Sequence, residues 1–126
     1  MVKKISITNK TNGKLPRLPF ARLHEAILGK EYDLSVAYVT PKESHKLNKT
    51  LRGKDKPTNI LSFPLDKNSG EIVLDLATSR KDAPNFDMSE SKFLLFLVIH
   101  GMLHLKGYDH GSTMERQEKK FLKIFS

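Results

Sequence analysis

Four segments of the chain have the apolar patterns that are typical of β-strands. Apolar residues alternate with polar ones over residues 2–8, and residues 34–39 form a nearly continuous apolar run. Residues 60–65 and 71–76 are two further short apolar stretches, and a turn-forming cluster at residues 66–70 separates them. We therefore expect two separate strands followed by an antiparallel hairpin.

Four other segments carry apolar residues at three- and four-residue spacing, which predicts amphipathic helices. The first ends at Gly29, and the second runs from the N-cap Thr40 to Gly53. The third covers residues 89–106 and ends at Gly107. The last opens with a capping box at residues 112–115, and its apolar face comprises Met114, Phe121, Leu122 and Phe125.

The order of these elements predicts the fold class. Residues 77–88 are polar and show no period, so we expect irregular structure there. The first two strands, joined by a helix, should be parallel, and the hairpin should add an antiparallel part. The prediction is an α/β (α+β) fold with one domain over residues 1–126, a small mixed sheet of about four strands and helices packed on it.

Composition excludes several classes of protein. The chain has 126 residues and no cysteine, which removes disulfides, thiolate nucleophiles and zinc sites built on sulfur. Hydrophobic residues make up 38% and charged residues 29%, as in a folded globular domain. The longest apolar run has seven residues, 93–99, whereas a membrane span needs about 20. The N-terminus lacks the apolar core of a signal peptide, so we expect a cytoplasmic protein without a membrane partner.

The net charge of +8 is concentrated in the first half of the chain. Residues 1–60 contain 13 Lys and Arg against 5 Asp and Glu, whereas residues 61–126 contain 9 of each. Such a basic half indicates a polyanionic partner, with nucleic acid first and a membrane surface second. A solvated basic surface on an ordinary protein is the alternative.

Three of the five histidines, His100, His104 and His110, lie within eleven residues. His100 and His104 are four residues apart on the third predicted helix, which places their side chains on one face. Gly107 permits a turn that can bring His110 back over that face. Three converging imidazoles with a fourth position open form the ligand set of a catalytic zinc, although three separately hydrogen-bonded histidines would have the same sequence. His24 and His45 are interpreted as surface histidines.

This spacing gives the third helix the character of a zincin-like histidine helix. In the long zinc-protease signature a glutamate follows the first histidine and acts as the general base, but here the residue is Gly101. Glycine cannot move a proton, so peptide hydrolysis is disfavoured. Asp109 could accept an N–H of the His110 ring and so orient it, or could cap the turn instead.

The segment between the second helix and the hairpin is strongly basic. An arginine there offers a planar fork that fits a phosphate, and lysines add charge. The alternative is a charged loop that protects an exposed strand edge from aggregation. As candidate RNA-binding residues, the segment supplies Lys46, Lys49, Arg52, Lys54 and Lys56.

Residues 51–64, 70–73 and 100–110 together resemble the YbeY family of bacterial rRNA maturation factors, which are metal-dependent endoribonucleases. The resemblance covers the chain from about residue 47 to its end. It implies one zinc ion on the histidine cluster, and it implies that Arg52 is the catalytic basic residue facing the RNA phosphate. It also implies single-stranded RNA as substrate, processing of the 3′ end of the small-subunit rRNA, ribosome quality control, and the ribosome or its proteins as partners. Asn59 and Gly111 replace acidic residues that are usual in the family.

The mechanism expected from these residues is metal-assisted hydrolysis of a phosphodiester. Zinc would lower the pKa of its water or polarise a phosphoryl oxygen, and Arg52 would stabilise the charge that develops on the phosphate. The sequence does not identify a general base. A ribosome-binding assembly factor whose metal is mainly structural is the competing hypothesis, and a fourth protein ligand on the metal would favour it.

Overall fold

The computed structural model describes residues 4–126, and its centre is a mixed sheet of four strands in the order β1-β2-β4-β3. β1 pairs with β2 and β2 with β4 in parallel, while β3 is antiparallel to β4. The predicted fold class is therefore confirmed, although Val2 of the predicted first strand lies outside the described residues. The strands are β1 (Ile5–Asn9), β2 (Asp33–Tyr38), β3 (Ile60–Asp66) and β4 (Ser69–Leu74).

Five α-helices accompany the sheet in the described part of the chain. α1 continues directly into a π-helical turn over His24–Leu28, and α3 continues into a 3₁₀ turn over Ala83–Phe86. The bounds are α1 (Phe20–Leu23), α2 (Pro41–Arg52), α3 (Leu76–Asp82), α4 (Glu90–Lys106) and α5 (Ser112–Phe125). None of these helices is both long enough and apolar enough to cross a bilayer.

Capping residues set the ends of the two helices that flank the site, and Thr40, Gly53 and Gly107 are the ones that the sequence predicts. The Thr40 side chain accepts a hydrogen bond from the Glu43 backbone N–H at the start of α2, and Gly53 ends that helix in the left-handed region. The Ser89 side chain caps α4 in the same way. The capping residues thus set the ends of both helices. The residues that follow each helix therefore leave it at a defined point next to the site.

The two faces of the sheet are packed differently. Val36, Ile72 and other alternate strand residues point into the main core, where they meet α4, the His24–Leu28 turn and buried Met114 of α5. The opposite face carries a smaller cluster of Val39, Leu61 and Val73 that packs against Leu47 of α2. Alternation along each strand produces this division because successive side chains point to opposite faces.

Three sequence predictions are wrong. Residues 77–88 are largely helical, because buried Asp75 caps α3 and accepts hydrogen bonds from both the backbone and the hydroxyl of Thr78. The capping box at residues 112–115 does not form, since Gly111 takes the N-cap position and Ser112 is already helical. His24 is buried rather than on the surface, and its Nε2 pairs with the Tyr32 carbonyl.

Candidate metal centre

The last turns of α4 bring His100 and His104 together, as the four-residue spacing predicts. Their Nε2 atoms are 3.1 Å apart. The ring of His110 lies 5.4 Å from that of His100 and 4.7 Å from that of His104, measured between centroids. One ligand atom from each of the three histidines lies within 4.8 Å of the others. The structure therefore brings all three predicted ligands into one cluster.

A glycine turn after α4 positions His110. Gly107 adopts a φ of 112°, a left-handed conformation that a residue with a Cβ rarely takes. The Tyr108 N–H donates to the Leu103 carbonyl and the Gly107 N–H to the His104 carbonyl, both at 3.0 Å. These two bonds close the helix end and reverse the chain, so that His110 lies beside the helix instead of beyond it.

The donor set fits a tetrahedral divalent metal. With zinc–nitrogen bonds of 2.0–2.1 Å, two tetrahedral ligands lie about 3.3–3.4 Å apart, which is close to the separation of the His100 and His104 nitrogens. Burial lowers the pKa of His104 below its usual value, and the neighbouring His100 and His110 rings lower it further. A lowered pKa favours the neutral ring at neutral pH, and the neutral ring is the form that binds a metal.

Glu118 of α5 is the functional residue that sequence reasoning missed. Its carboxylate is buried, and its Oε2 accepts a hydrogen bond of 2.7 Å from Nδ1 of His100. Because Nδ1 then carries the proton, Nε2 of His100 is left free as the ligand atom. A signal was present in the sequence, since Glu118 falls four residues after Met114 on the apolar face of α5. A carboxylate in such a position requires a partner.

The contact considered for Asp109 is not formed. Asp109 is exposed, and within residues 4–126 its side chain makes no hydrogen bond to a histidine ring. The carboxylate that contacts a ring of the histidine cluster comes instead from a separate helix, eighteen positions along the chain from His100. Helix packing therefore supplies a contact for which Asp109 was one candidate.

Gly101 packs directly against the sheet. A Cβ at this position would lie 3.0 Å from Cδ1 of Ile60 and 3.4 Å from Cδ1 of Ile72. The helix therefore approaches the sheet closely at a point where even one methyl group would crowd the isoleucines. The position that carries the general base in zinc proteases thus faces the core of this protein and holds no proton-transfer group.

Arg52 and the three histidines line the same open cavity, of about 730 Å³. The histidines come from α4 and the turn after it, whereas Arg52 is the last residue of α2. The other residues that line this cavity include Thr58, Asn59, Phe96 and Glu115. The structure thus brings the predicted catalytic residue and the predicted metal ligands to one cavity, and the role of Arg52 stays a prediction.

The lysines of the basic segment divide into two groups. Lys54 and Lys56 line a second cavity, which adjoins the first. Lys46 and Lys49 lie exposed on α2 and line neither cavity, and Nζ of Lys49 is 4.0 Å from a carboxylate oxygen of Asp55. The RNA-binding role of all four lysines stays a prediction, but only Lys54 and Lys56 lie beside the cavity of the histidine cluster.

Buried polar residues hold the backbone of this segment. The amide of Asn48, which is 1% exposed, donates a hydrogen bond of 2.9 Å to the Lys56 carbonyl. The Ser44 hydroxyl donates to Asp75 at 2.6 Å and accepts a longer contact from the Thr58 N–H at 3.4 Å. The backbone beyond Gly53 is therefore anchored to α2 even though its side chains are exposed.

Comparison with known proteins gives one consistent family. The model of the family Endoribonuclease YbeY matches residues 3–125. Endoribonuclease YbeY of Bacillus subtilis (strain 168) is 34% identical over 121 residues, which covers 84% of this chain and 76% of that protein. The Phytoplasma mali protein of the same name is 35% identical, and the match covers 96% of this chain and 88% of the relative.

Two further comparisons define the extent of the likeness. Endoribonuclease YbeY of Alkaliphilus metalliredigens is 35% identical over 101 residues, but the match spans 65% of that protein, slightly less than two thirds of its length. The solution structure of TM1509 from Thermotoga maritima superposes with a TM-score of 0.63 at 32% identity. That superposition covers 94% of this chain and 87% of the Thermotoga chain.

Proposed function

The chain belongs to the endoribonuclease YbeY family, and on that basis we propose that it is a metal-dependent endoribonuclease that hydrolyses phosphodiester bonds in single-stranded RNA. One observation carries the proposal: the three-histidine cluster and Arg52 line one open cavity. A metal ligand set beside an arginine is the arrangement that phosphoryl chemistry requires, because negative charge develops on the phosphate oxygens.

Each residue has a defined part in this proposal. His100, His104 and His110 would hold a zinc ion, which would supply Lewis acidity toward phosphoryl oxygens and water. Glu118 holds the His100 ring in the orientation and tautomer that present Nε2. Arg52 binds the scissile phosphate through its planar fork and offsets the charge that develops there.

A ligand set of three histidines favours catalysis over a purely structural metal. Within residues 4–126 the ligand cluster contains three histidines, and the nearby carboxylate of Glu118 is engaged with Nδ1 of His100. Structural zinc sites are usually closed by four protein ligands, whereas catalytic sites keep one position for water or substrate. This geometry supports the enzyme over a ribosome-binding assembly factor with a structural metal.

The finer features of the proposed function follow from the family. We propose zinc as the ion, ribosomal RNA as the physiological substrate and the 3′ end of the small-subunit rRNA as the site of processing. A role in ribosome quality control and a cytoplasmic location accompany that substrate. The excess of basic residues in the first half of the chain supports contact with the ribosome, because rRNA is its most abundant polyanion.

The test is a cleavage assay with a metal control. Zinc-loaded protein is incubated with end-labelled single-stranded RNA and with a duplex of the same sequence. We expect cleavage of the single strand, little cleavage of the duplex, loss of activity with a chelator and recovery when zinc is returned. Cleavage that persists at full rate after metal removal, or no cleavage by the fully loaded protein, would contradict the proposal.

A further inference from the structure

A second cavity lies beside the one that contains the histidines. It has a volume of about 420 Å³ and extends between the end of α2 and α3. The two cavities share three lining residues, Arg52, Thr58 and Asn59. A ligand in one cavity can therefore continue into the other by passing Arg52.

The second cavity is strongly basic. Four cationic side chains line it, and they are Arg52, Lys54, Lys56 and Lys81. Its one acidic lining residue is Asp82, whose Oδ2 already accepts a hydrogen bond of 3.0 Å from the Asn59 amide. Among the salt bridges of residues 4–126, none involves any of the four cations. Their charge is thus available to an anion from outside the protein.

The backbone that carries these cations is held in place by buried contacts. The Asn48 amide fixes the Lys56 carbonyl, and the Lys54 N–H donates to the Asn48 carbonyl at 3.3 Å. Lys81 lies on α3, whose N-cap Asp75 also accepts the Ser44 hydroxyl of α2. Lysines on an anchored scaffold lose less freedom when they bind than lysines on a mobile tail, so this surface is suited to a specific phosphate.

We propose that the second cavity is a subsite for a flanking phosphate of the RNA strand, an inference that rests on the proposed function. The scissile phosphate lies in the histidine cavity, the strand passes over Arg52, and the next part of the backbone is held by Lys54, Lys56 and Lys81. Lys81 is the diagnostic residue, because it lies on α3, outside the basic segment that follows α2. Phosphate contacts of this kind position a strand without reading its sequence.

The experiment measures binding of a single-stranded RNA whose phosphorothioate linkages resist hydrolysis. The zinc-loaded protein is compared with Lys81→Gln, with Lys81→Arg and with Lys67→Gln, across a range of salt concentrations. Lys67 is a matched control, because it is an exposed lysine in the β3–β4 turn that lines neither cavity. We expect Lys81→Gln to make the log–log salt slope shallower by about 0.7, the value for one lost phosphate contact on a single strand. Lys81→Arg should keep the slope, and Lys67→Gln should match the wild type.

Cleavage kinetics on ordinary RNA separate this proposal from the proposed function. If the subsite exists, Lys81→Gln should raise KM severalfold and change kcat little, because the residue binds a phosphate away from the bond that breaks. A Lys81→Gln protein with the salt slope and KM of Lys67→Gln would overturn the subsite and leave the endoribonuclease proposal intact. Absence of cleavage in the wild type, together with the expected change of slope, would contradict the enzyme and keep the subsite.

Discussion

The two adjoining cavities have two walls that are built in different ways. The histidine wall lines the first cavity and comprises His100, His104, His110 and Glu118. The arginine wall comprises Arg52, Thr58 and Asn59, which line both cavities, together with Lys54, Lys56 and Pro57, which line the second. In the histidine wall the rings contact one another, and His100 is hydrogen-bonded to a buried carboxylate. In the arginine wall the backbone is anchored, but the Arg52, Lys54 and Lys56 side chains are exposed.

The difference reflects the two kinds of ligand. A metal ion requires neutral, oriented nitrogens at fixed distances, and contact between rings together with the Glu118 hydrogen bond to His100 restricts their orientation. A phosphate requires positive charge that can adjust to a flexible strand, and exposed long side chains provide it. Substitutions in the two walls should therefore separate metal binding from action on RNA.

The largest effect is expected from His104→Ala in the histidine wall. Loss of one of three ligands should remove most of the zinc, which we expect at about one equivalent per chain in the wild type, and cleavage should be lost with it. Elemental analysis and a cleavage assay on the same preparation measure both. His45→Ala is the matched control, because His45 pairs with Asp55 outside the cluster and its loss should leave the zinc in place. Full metal content in His104→Ala would show that the ligand set is wrong.

Arg52→Ala should give the next largest effect on cleavage and should leave the zinc content unchanged. By analogy with the removal of one oxyanion donor, the cleavage rate should fall about 10²–10³-fold. Arg52→Lys restores the charge without the planar fork and should recover part of the rate. If Arg52 only stabilises the C-terminus of α2, its loss would cost about 0.3–1 kcal/mol of stability and leave turnover nearly intact. Rate, zinc content and Tm distinguish these outcomes.

Glu118→Gln should weaken the histidine wall without removing a ligand. Loss of a carboxylate that orients a metal-binding histidine typically lowers metal affinity about 10–100-fold. Glu115→Gln is the control, since it makes the same charge change on α5 in the same cavity but breaks no hydrogen bond to a histidine. Zinc titration against a competing chelator measures the affinities. If the two variants bind zinc with equal affinity, Glu118 acts through its charge alone and not through its hydrogen bond to His100.

The smallest effect is expected from Asn48→Ala behind the arginine wall. The change removes the hydrogen bond to the Lys56 carbonyl, which should lower the free energy of unfolding by about 0.5–1.5 kcal/mol. KM for RNA should rise a fewfold because residues 53–56 lose their anchor, and zinc content should stay at the wild-type level. Loss of zinc in this variant would mean that the two walls are not independent.

Local sequence was sufficient for most features that one stretch of chain determines, and the capping box at residues 112–115, where Gly111 takes the N-cap position, is the exception. The caps of α2, the hairpin and the turn at Gly107 were predicted because each depends on residues within a few positions of it. The histidine cluster was predicted for the same reason, since one helix face and one turn bring its members together.

The features that sequence reasoning missed depend on contacts between distant segments. Glu118 meets His100 only because α5 packs on α4. Asp75, the N-cap of α3, is buried because it accepts the Ser44 hydroxyl of α2, and the exposed face of α3 is polar, so the sequence shows no apolar period there. His24 is buried because Tyr32 provides an acceptor for its ring. In each case the partner lies at least eight positions away along the chain, so neighbouring residues alone do not identify it.

The central claim is that three histidines hold one metal ion and that Glu118 fixes the tautomer of His100. The most direct measurement is a zinc titration of ¹⁵N-labelled, metal-free protein, followed through the ring nitrogens of its five histidines by NMR. We predict that His100, His104 and His110 shift together and saturate at one equivalent, that His100 and His104 bind through Nε2, and that His24 and His45 do not move. Saturation with fewer than three of these rings, or binding of zinc through Nδ1 of His100, would contradict this account.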